Sequence, residues 1–288
     1  MSEPVDAKAL RKAVRKQTAP LRNALDALDA LCAEGPTLEV LEKGLGPLGD
    51  GRFDDEALEA QRHALHQELS ELHQRLRSRA RSQLVGALSR RGREEGVEVE
   101  PLSETPLELR IAPLTVLADF ARAEATLLYA REPVQSCTLD PEAIWAARLE
   151  VVERIRAGAQ GSPEFFECLL AACRLAQARR GLGADARVDL VDLLGPLSLL
   201  QHPVDEWRKL PAKALEPYPR WLLAYQLQRL RKDACLSHAG HRLELGAATG
   251  GSARKKQNVL FVPAAGDGQY MLSLRFTPCT QTRGEGED

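Results

Sequence analysis

Residues 54–93 read DDEALEAQRHALHQELSELHQRLRSRARSQLVGALSRRGR, and this block decides the architecture. Leu58, Leu65, Leu69, Leu72 and Leu76 recur at helical spacing with no proline among them. Such a seam predicts one long amphipathic helix over about 54–92, capped by Asp54 or Asp55. At 1.5 Å per residue it would run roughly 57 Å, with Gly86 as the candidate kink. The seam gives out before three clean heptads, because Arg79 and Gly86 fall on core positions. An arm of a helical bundle is therefore expected rather than a long isolated coiled coil.

The block also changes charge along its length. Residues 54–72 carry six acids and one base, 73–93 carry seven bases and no acid, and 94–108 carry six acids and no base. The seven bases are Arg75, Arg77, Arg79, Arg81, Arg90, Arg91 and Arg93. A seam needs a facing helix, in cis or in a second copy, and an arginine run needs anions. Those anions are either the neighbouring acidic blocks of the same chain or an external partner.

Outward from this block, residues 5–33 read as helix, with Pro20 making a break or starting a second helix after Thr18. Residues 34–53 hold Gly35-Pro36, Gly44, Gly46-Pro47 and Gly49-Asp50-Gly51, and read as loop with a short helix at 37–43. A β-hairpin is expected at about 97–111, where Val97 to Glu100 and Leu107 to Ile111 alternate around Ser103–Pro106. Helices are expected at 114–131, at 141–157 after an Asp140 cap, and at 163–180 after a Ser162 cap. Three more are expected at 187–201, 204–210 and 218–233. A small C-terminal antiparallel sheet spans about 242–276, with a turn at Ala264–Gly268, and a disordered polar tail covers 280–288. The fold class is thus α+β and mainly α-helical. Its domains are an N-terminal helical region 1–112 and a helical domain 113–279 closed by the sheet.

Composition bounds the function class. The chain has 288 residues, 44% hydrophobic, 28% charged and 5% aromatic, with net charge −2, which is the profile of a folded globular protein and not of a uniformly basic one. No stretch approaches the roughly 20 apolar residues of a membrane span. The first residues hold no apolar core resembling a signal peptide, so a cytoplasmic protein with reduced thiols is expected. No cofactor motif is present.

Chemistry-bearing patterns are few. Cys235-x2-His238-x2-His241 has metal-compatible side chains, but no second cluster completes a finger, and a surface turn is the plainer account. His63, His66 and His73 share one side of the long helix and read as polar flanks of its seam. Cys168 and Cys173 are five apart on one helix and do not form a redox pair. Asp185, Asp189 and Asp192 are an accidental spacing of acids, and Asp189 and Asp192 read as helix surface. Neither a nucleophile elbow nor a zinc-protease motif occurs. Residues 249–256, with Arg254, Lys255 and Lys256, make a basic loop after helix 218–233, which resembles the wing of a winged helix in element order only. They do not form a Walker loop.

The expected function is a non-enzymatic interaction or scaffold subunit of a cytoplasmic, bacterial-type assembly. Its partner would be a protein, with nucleic acid as an alternative through the arginine helix, and a homo-oligomer could form along that helix. Competing readings are a DNA-binding regulator using 218–276, and a metal-dependent enzyme with a dispersed site.

Overall fold

The computed structural model describes residues 7–52, 55–204, 207, 216–251, 255–264 and 268–279, with the backbone alone for 7–14 and 17. The chain is α+β. In place of one helical bundle it carries two antiparallel sheets, and its described residues divide into two compact units. One lies within 1–112, 116–126 and 136–146, and the other within 113–115, 127–135 and 147–288.

The first unit begins with α1 (Ala7–Glu34), α2 (Leu38–Asp50) and α3 (Glu56–Glu95). Two expectations fail here. α1 runs unbroken through Pro20. The carbonyl that loses its donor belongs to Lys16, an exposed position where water can replace the bond. α2 extends through Gly44, Gly46 and Gly49, which read as loop, and ends at Gly51. A Cβ on Gly44 would lie 3.4 Å from that of Ala27, and one on Gly51 would lie 2.8 Å from that of Ala24. These glycines mark the close approach of α2 to α1 rather than turns.

α3 is one helix with no interruption at Gly86. Asp55 caps it by accepting from the Leu58 N–H at 2.9 Å. Gly96 ends it in the left-handed region at φ 66°, and the Val97 N–H closes on the Gly92 carbonyl at 2.8 Å. Leu41, Leu48 and Leu69 are buried together, surrounded by Leu28, Leu31, Leu45, Leu65, Leu72 and Leu76. The seam therefore finds its facing helices in cis. Leu58, 50% exposed, is the seam member left outside this cluster. Past Leu76 the buried side moves about 130° around the helix, to Leu84, Leu88 and Gly92.

Strands β1 (Val99–Glu104), β2 (Leu107–Ile111), β3 (Leu114–Asp119), β4 (Glu124–Tyr129) and β5 (Glu132–Thr138) form a meander in chain order. The expected hairpin supplies the first two strands. The expected helix at 114–131 is instead β3 and β4, with Leu114, Val116 and Ala118 buried in alternation, then Ala125, Leu127 and Tyr129. Period-2 burial of β-branched and aliphatic side chains wins over the helical propensity of the alanines.

After α4 (Pro141–Ala157), with Asp140 capping as expected, the second unit contains α5 (Ser162–Arg180), β6 (Val188–Asp189) and a 3-10 turn (Leu190–Leu193). Then follow α6 (Leu194–Leu200), α7 (Arg220–Lys232), β7 (Ser237–His238), β8 (His241–Ala247), β9 (Leu260–Val262) and β10 (Gln269–Pro278). The helix expected over 187–201 is shorter, because Val188 and Asp189 pair with Leu274 and Ser273 of β10. α5 is capped by Gly161, not Ser162, whose hydroxyl donates to Asp233. The C-terminal sheet has the order β6-β10-β8-β7, with β9 also on β10. Phe165, Phe166 and Leu169 of α5, Leu223 and Leu227 of α7, and Leu243, Leu274 and Phe276 of the sheet are buried, with Phe166 and Phe276 edge to face at 5.2 Å. The helix expected at 204–210 lies mostly outside the described residues, as do Arg254 and the tail 280–288.

Candidate functional site

Because α3 buries different sides in its two halves, its seven arginines meet different fates. Arg77 lies 3.7 Å from Glu42 of α2, Arg81 lies 3.3 Å from Glu104 of β1, and Arg91 lies 3.8 and 3.0 Å from Glu94 and Glu95. These three neutralise acids of the same unit. Arg75, Arg79, Arg90 and Arg93 are exposed and make no ion pair with any described residue.

At 100° per residue these four fall within about 60° of one another, and the stripe runs about 27 Å along the axis. Ser82 and Gly86 sit on the same stripe and are also exposed, giving Arg-Arg-Ser-Gly-Arg-Arg at 75, 79, 82, 86, 90 and 93. No acidic and no apolar side chain interrupts it. A Cβ on Gly86 would meet no described atom beyond its own helix turn within 4 Å, so no described neighbour requires glycine there. Sequence reading found the arginines but not the stripe. Arg91 meets its sequence neighbours Glu94 and Glu95, but the pairing of Arg77 and Arg81 depends on Glu42 and Glu104, which only the fold brings to α3.

The histidines of α3 do not converge. His73 Nε2 lies 3.0 Å from Glu42, the His66 ring packs over Gly49, and His63 is exposed. Arg62, the lone base of the acidic half, donates to the Leu48 and Gly49 carbonyls at 2.9 and 3.3 Å and so closes the end of α2.

In the second unit, His238 and His241 flank the tight turn between β7 and β8. His238 Nε2 lies 3.0 Å from Glu167, and His241 Nε2 lies 3.1 Å from an Arg174 nitrogen, so the two rings engage different residues of α5. Among the described residues no group of three or more His, Cys, Asp or Glu is arranged to hold a metal, and Cys235 is not drawn to these rings as a ligand set. Burial pushes the Cys168 thiol up and the Cys173 thiol to about 11, away from the thiolate a nucleophile needs. Asp192 sits 2.6 Å from Arg180, while Asp189 is in β6.

The basic loop after α7 is anchored from its base. Arg220 donates to the carbonyls of Lys256, Gln257 and Val259 and pairs with Glu132 at 2.8 Å, leaving Lys255 and Lys256 exposed. α7 itself is enclosed: Leu222, Leu223, Ala224, Gln226, Leu227 and Leu230 are buried. The β4–β5 hairpin covers part of the remainder. The Tyr129 hydroxyl donates to Gln228, and the Tyr129 ring meets that of Tyr225 edge-on at 5.7 Å. Arg131 of the same hairpin stacks 4.3 Å over Phe261 and donates to the Tyr270 hydroxyl. Burial raises the Tyr129 phenol well above its ordinary value, as expected of a core tyrosine.

A cleft of about 720 Å³ lies between α5 and α6, with Leu175, Ala176, Pro196 and Leu199 as its apolar wall and Arg179 and the Arg180–Asp192 pair at its polar side. Among the described residues no helix is long and apolar enough to cross a membrane. No known protein family matches the chain, and neither a curated protein nor a solved structure is significantly similar to it.

Proposed function

We propose that this chain is an interaction subunit that engages a polyanionic partner along α3 through Arg75, Arg79, Arg90 and Arg93. The observation carrying the reading is the unpaired stripe. Four guanidinium groups are held on one face of a rigid helix, while the other three arginines of the block are matched to carboxylates of the chain itself. Like charges gathered without internal partners raise the energy of the free protein, and an anion relieves that repulsion.

The stripe favours a polyanion over a protein surface. Stable protein interfaces have an apolar or aromatic centre inside a polar rim, and these six positions hold arginine, serine and glycine alone. The test is binding of the full chain to inorganic polyphosphate and to labelled oligonucleotides across a salt series. Four neutralised phosphates give a log–log slope of about −3.6 on a DNA duplex, a loss of about two orders of magnitude in affinity between 50 and 200 mM salt. Replacing the four arginines by glutamine removes that binding. Undiminished binding in this variant, or no binding to any polyanion at low salt, rejects the reading.

A second reading is supported by the order of the C-terminal elements. Helix α5, strand β6, helices α6 and α7, then β8 and β10 in a sheet ordered β6-β10-β8 follow the connectivity of a winged helix. Since α7 is enclosed, such a module would touch a phosphate backbone with its exposed loop lysines, not read bases with α7. Changing Lys255 and Lys256 to alanine would then lower affinity without moving the thermal midpoint, and unchanged affinity removes this contribution.

A further inference from the structure

We infer that the polyanion is B-form duplex DNA, and that α3 lies over its major groove with Ser82 and Gly86 above the groove and one arginine pair on each flanking strand. This rests on the polyanion reading above and narrows it.

The spacing along α3 is the first argument. Arg75 and Arg79 are about 6 Å apart along the axis, Arg90 and Arg93 about 4.5 Å, and the gap from Arg79 to Arg90 is about 16.5 Å. The B-DNA major groove is about 12 Å wide and is bordered by a phosphate ridge on each side. Each pair therefore falls beyond one lip of the groove, where phosphates stand, and the uncharged interval falls over the opening.

The second argument is what occupies that interval. Glycine inside an exposed helix is unfavourable relative to alanine, and here no described neighbour compensates, since a Cβ on Gly86 would meet none of their atoms within 4 Å. Ser82, one turn before, is also short. Two small residues between two arginine pairs keep the helix surface low over the groove opening.

The composition of α3 separates forms of nucleic acid. Proteins grip single strands by stacking bases on aromatic rings, and residues 54–95 contain no Phe, Tyr or Trp. A-form RNA has a deep, narrow major groove that side chains cannot enter. An uninterrupted helix with two arginine pairs and no stacking platform suits the wide groove of B-DNA.

The experiment measures anisotropy of the full-length chain with a 20-base-pair DNA duplex, its single strand, an RNA duplex of the same sequence and inorganic polyphosphate, all at 100 mM salt. The DNA duplex should bind at least tenfold more tightly than the single strand or the RNA duplex. Gly86→Gln should weaken duplex binding tenfold or more, leave polyphosphate binding within twofold, and retain the helical circular dichroism of the parent. Ser82→Gln should act in the same direction. If the single strand binds as well as the duplex, or if Gly86→Gln leaves duplex affinity intact, the groove placement is overturned while the arginine stripe still stands. If no polyanion binds, both readings fall together.

Discussion

Two glycines on α3, six residues apart, should respond to the same substitution with opposite sign. Gly86 is exposed and an added methyl touches nothing. Gly86→Ala should therefore return the full difference in helix propensity, a stabilisation of about 1 kcal/mol. Gly92 is buried against the strand that follows the helix. A Cβ there would lie 2.5 Å from the Val97 carbonyl oxygen and 2.7 Å from Val99 Cγ2. Relief requires the backbone at Val97 to withdraw by roughly 0.9 Å, an overpacking that costs about 1–3 kcal/mol. The same movement strains the hydrogen bond from the Val97 N–H to the Gly92 carbonyl, 2.8 Å long, which closes the helix and adds about 1 kcal/mol. After the propensity gain is subtracted, Gly92→Ala should be destabilising by about 1–3 kcal/mol. Urea unfolding followed by far-ultraviolet circular dichroism measures both, with unchanged slopes showing that the unfolded states are comparable. Should Gly92→Ala prove as stable as Gly86→Ala, the packing of the helix end against β1 described above is wrong.

Three further outcomes follow from packing and charge. Leu41, 1% exposed at the centre of the three-helix cluster, should lose about 2–5 kcal/mol as Leu41→Ala, read from the urea midpoint of the helical signal. The Glu244 carboxyl is held below its ordinary value by its hydrogen bond from Arg275, with Arg187 and Arg242 adding attraction. Its folded value being the lower one, its contribution is present above the ordinary carboxylate value and is lost as pH falls through the folded one. Glu244→Gln should then lower the urea midpoint at pH 7, with the gap to the parent closing toward pH 3. Cys32 and Cys279 are exposed and should react with a thiol reagent at pH 8 in the folded state, whereas Cys173, buried and with its thiol raised to about 11, should react only on unfolding.

The long helix, its seam and the C-terminal sheet were legible because each rests on a strong local pattern. The strands β3 and β4 were not, and the reason lies in their turns. The turn after β3 uses Asp119, whose carboxylate accepts from the Ala121 and Arg122 N–H groups, and closes with Ala123 at φ 50°. The next turn places Ala130 and Arg131 at φ 51° and 66°. Glycine or asparagine normally fills such positions. With alanine and arginine there instead, the segment has no punctuation, and its many alanines imitate a helix. Arg131 is held in its conformation by Phe261 and Tyr270, more than a hundred residues away in sequence, so the turn is fixed by tertiary contacts. The glycines of α2 misled in the opposite sense: they signalled breaks, whereas Gly44 is a contact point for Ala27 of α1 and Gly49 for His66 of α3. For the candidate site, the arginines were visible, but which of them stay free was not. That depends on Glu42 and Glu104, residues 35 and 23 positions from the arginines they meet.

The shift of the buried side along α3 makes the angular phase between its halves a structural quantity in its own right. One residue inserted between Leu76 and Leu84 would turn everything beyond it by about 100°. The buried line of Leu84, Leu88 and Gly92 would move from about 130° to about 230° past the seam, and Arg90 and Arg93 would leave the line of Arg75 and Arg79. Seven inserted residues, close to two full turns, would nearly restore both alignments, and eighteen would restore them completely while adding about 27 Å. This rod can therefore lengthen in whole turns but not by single residues.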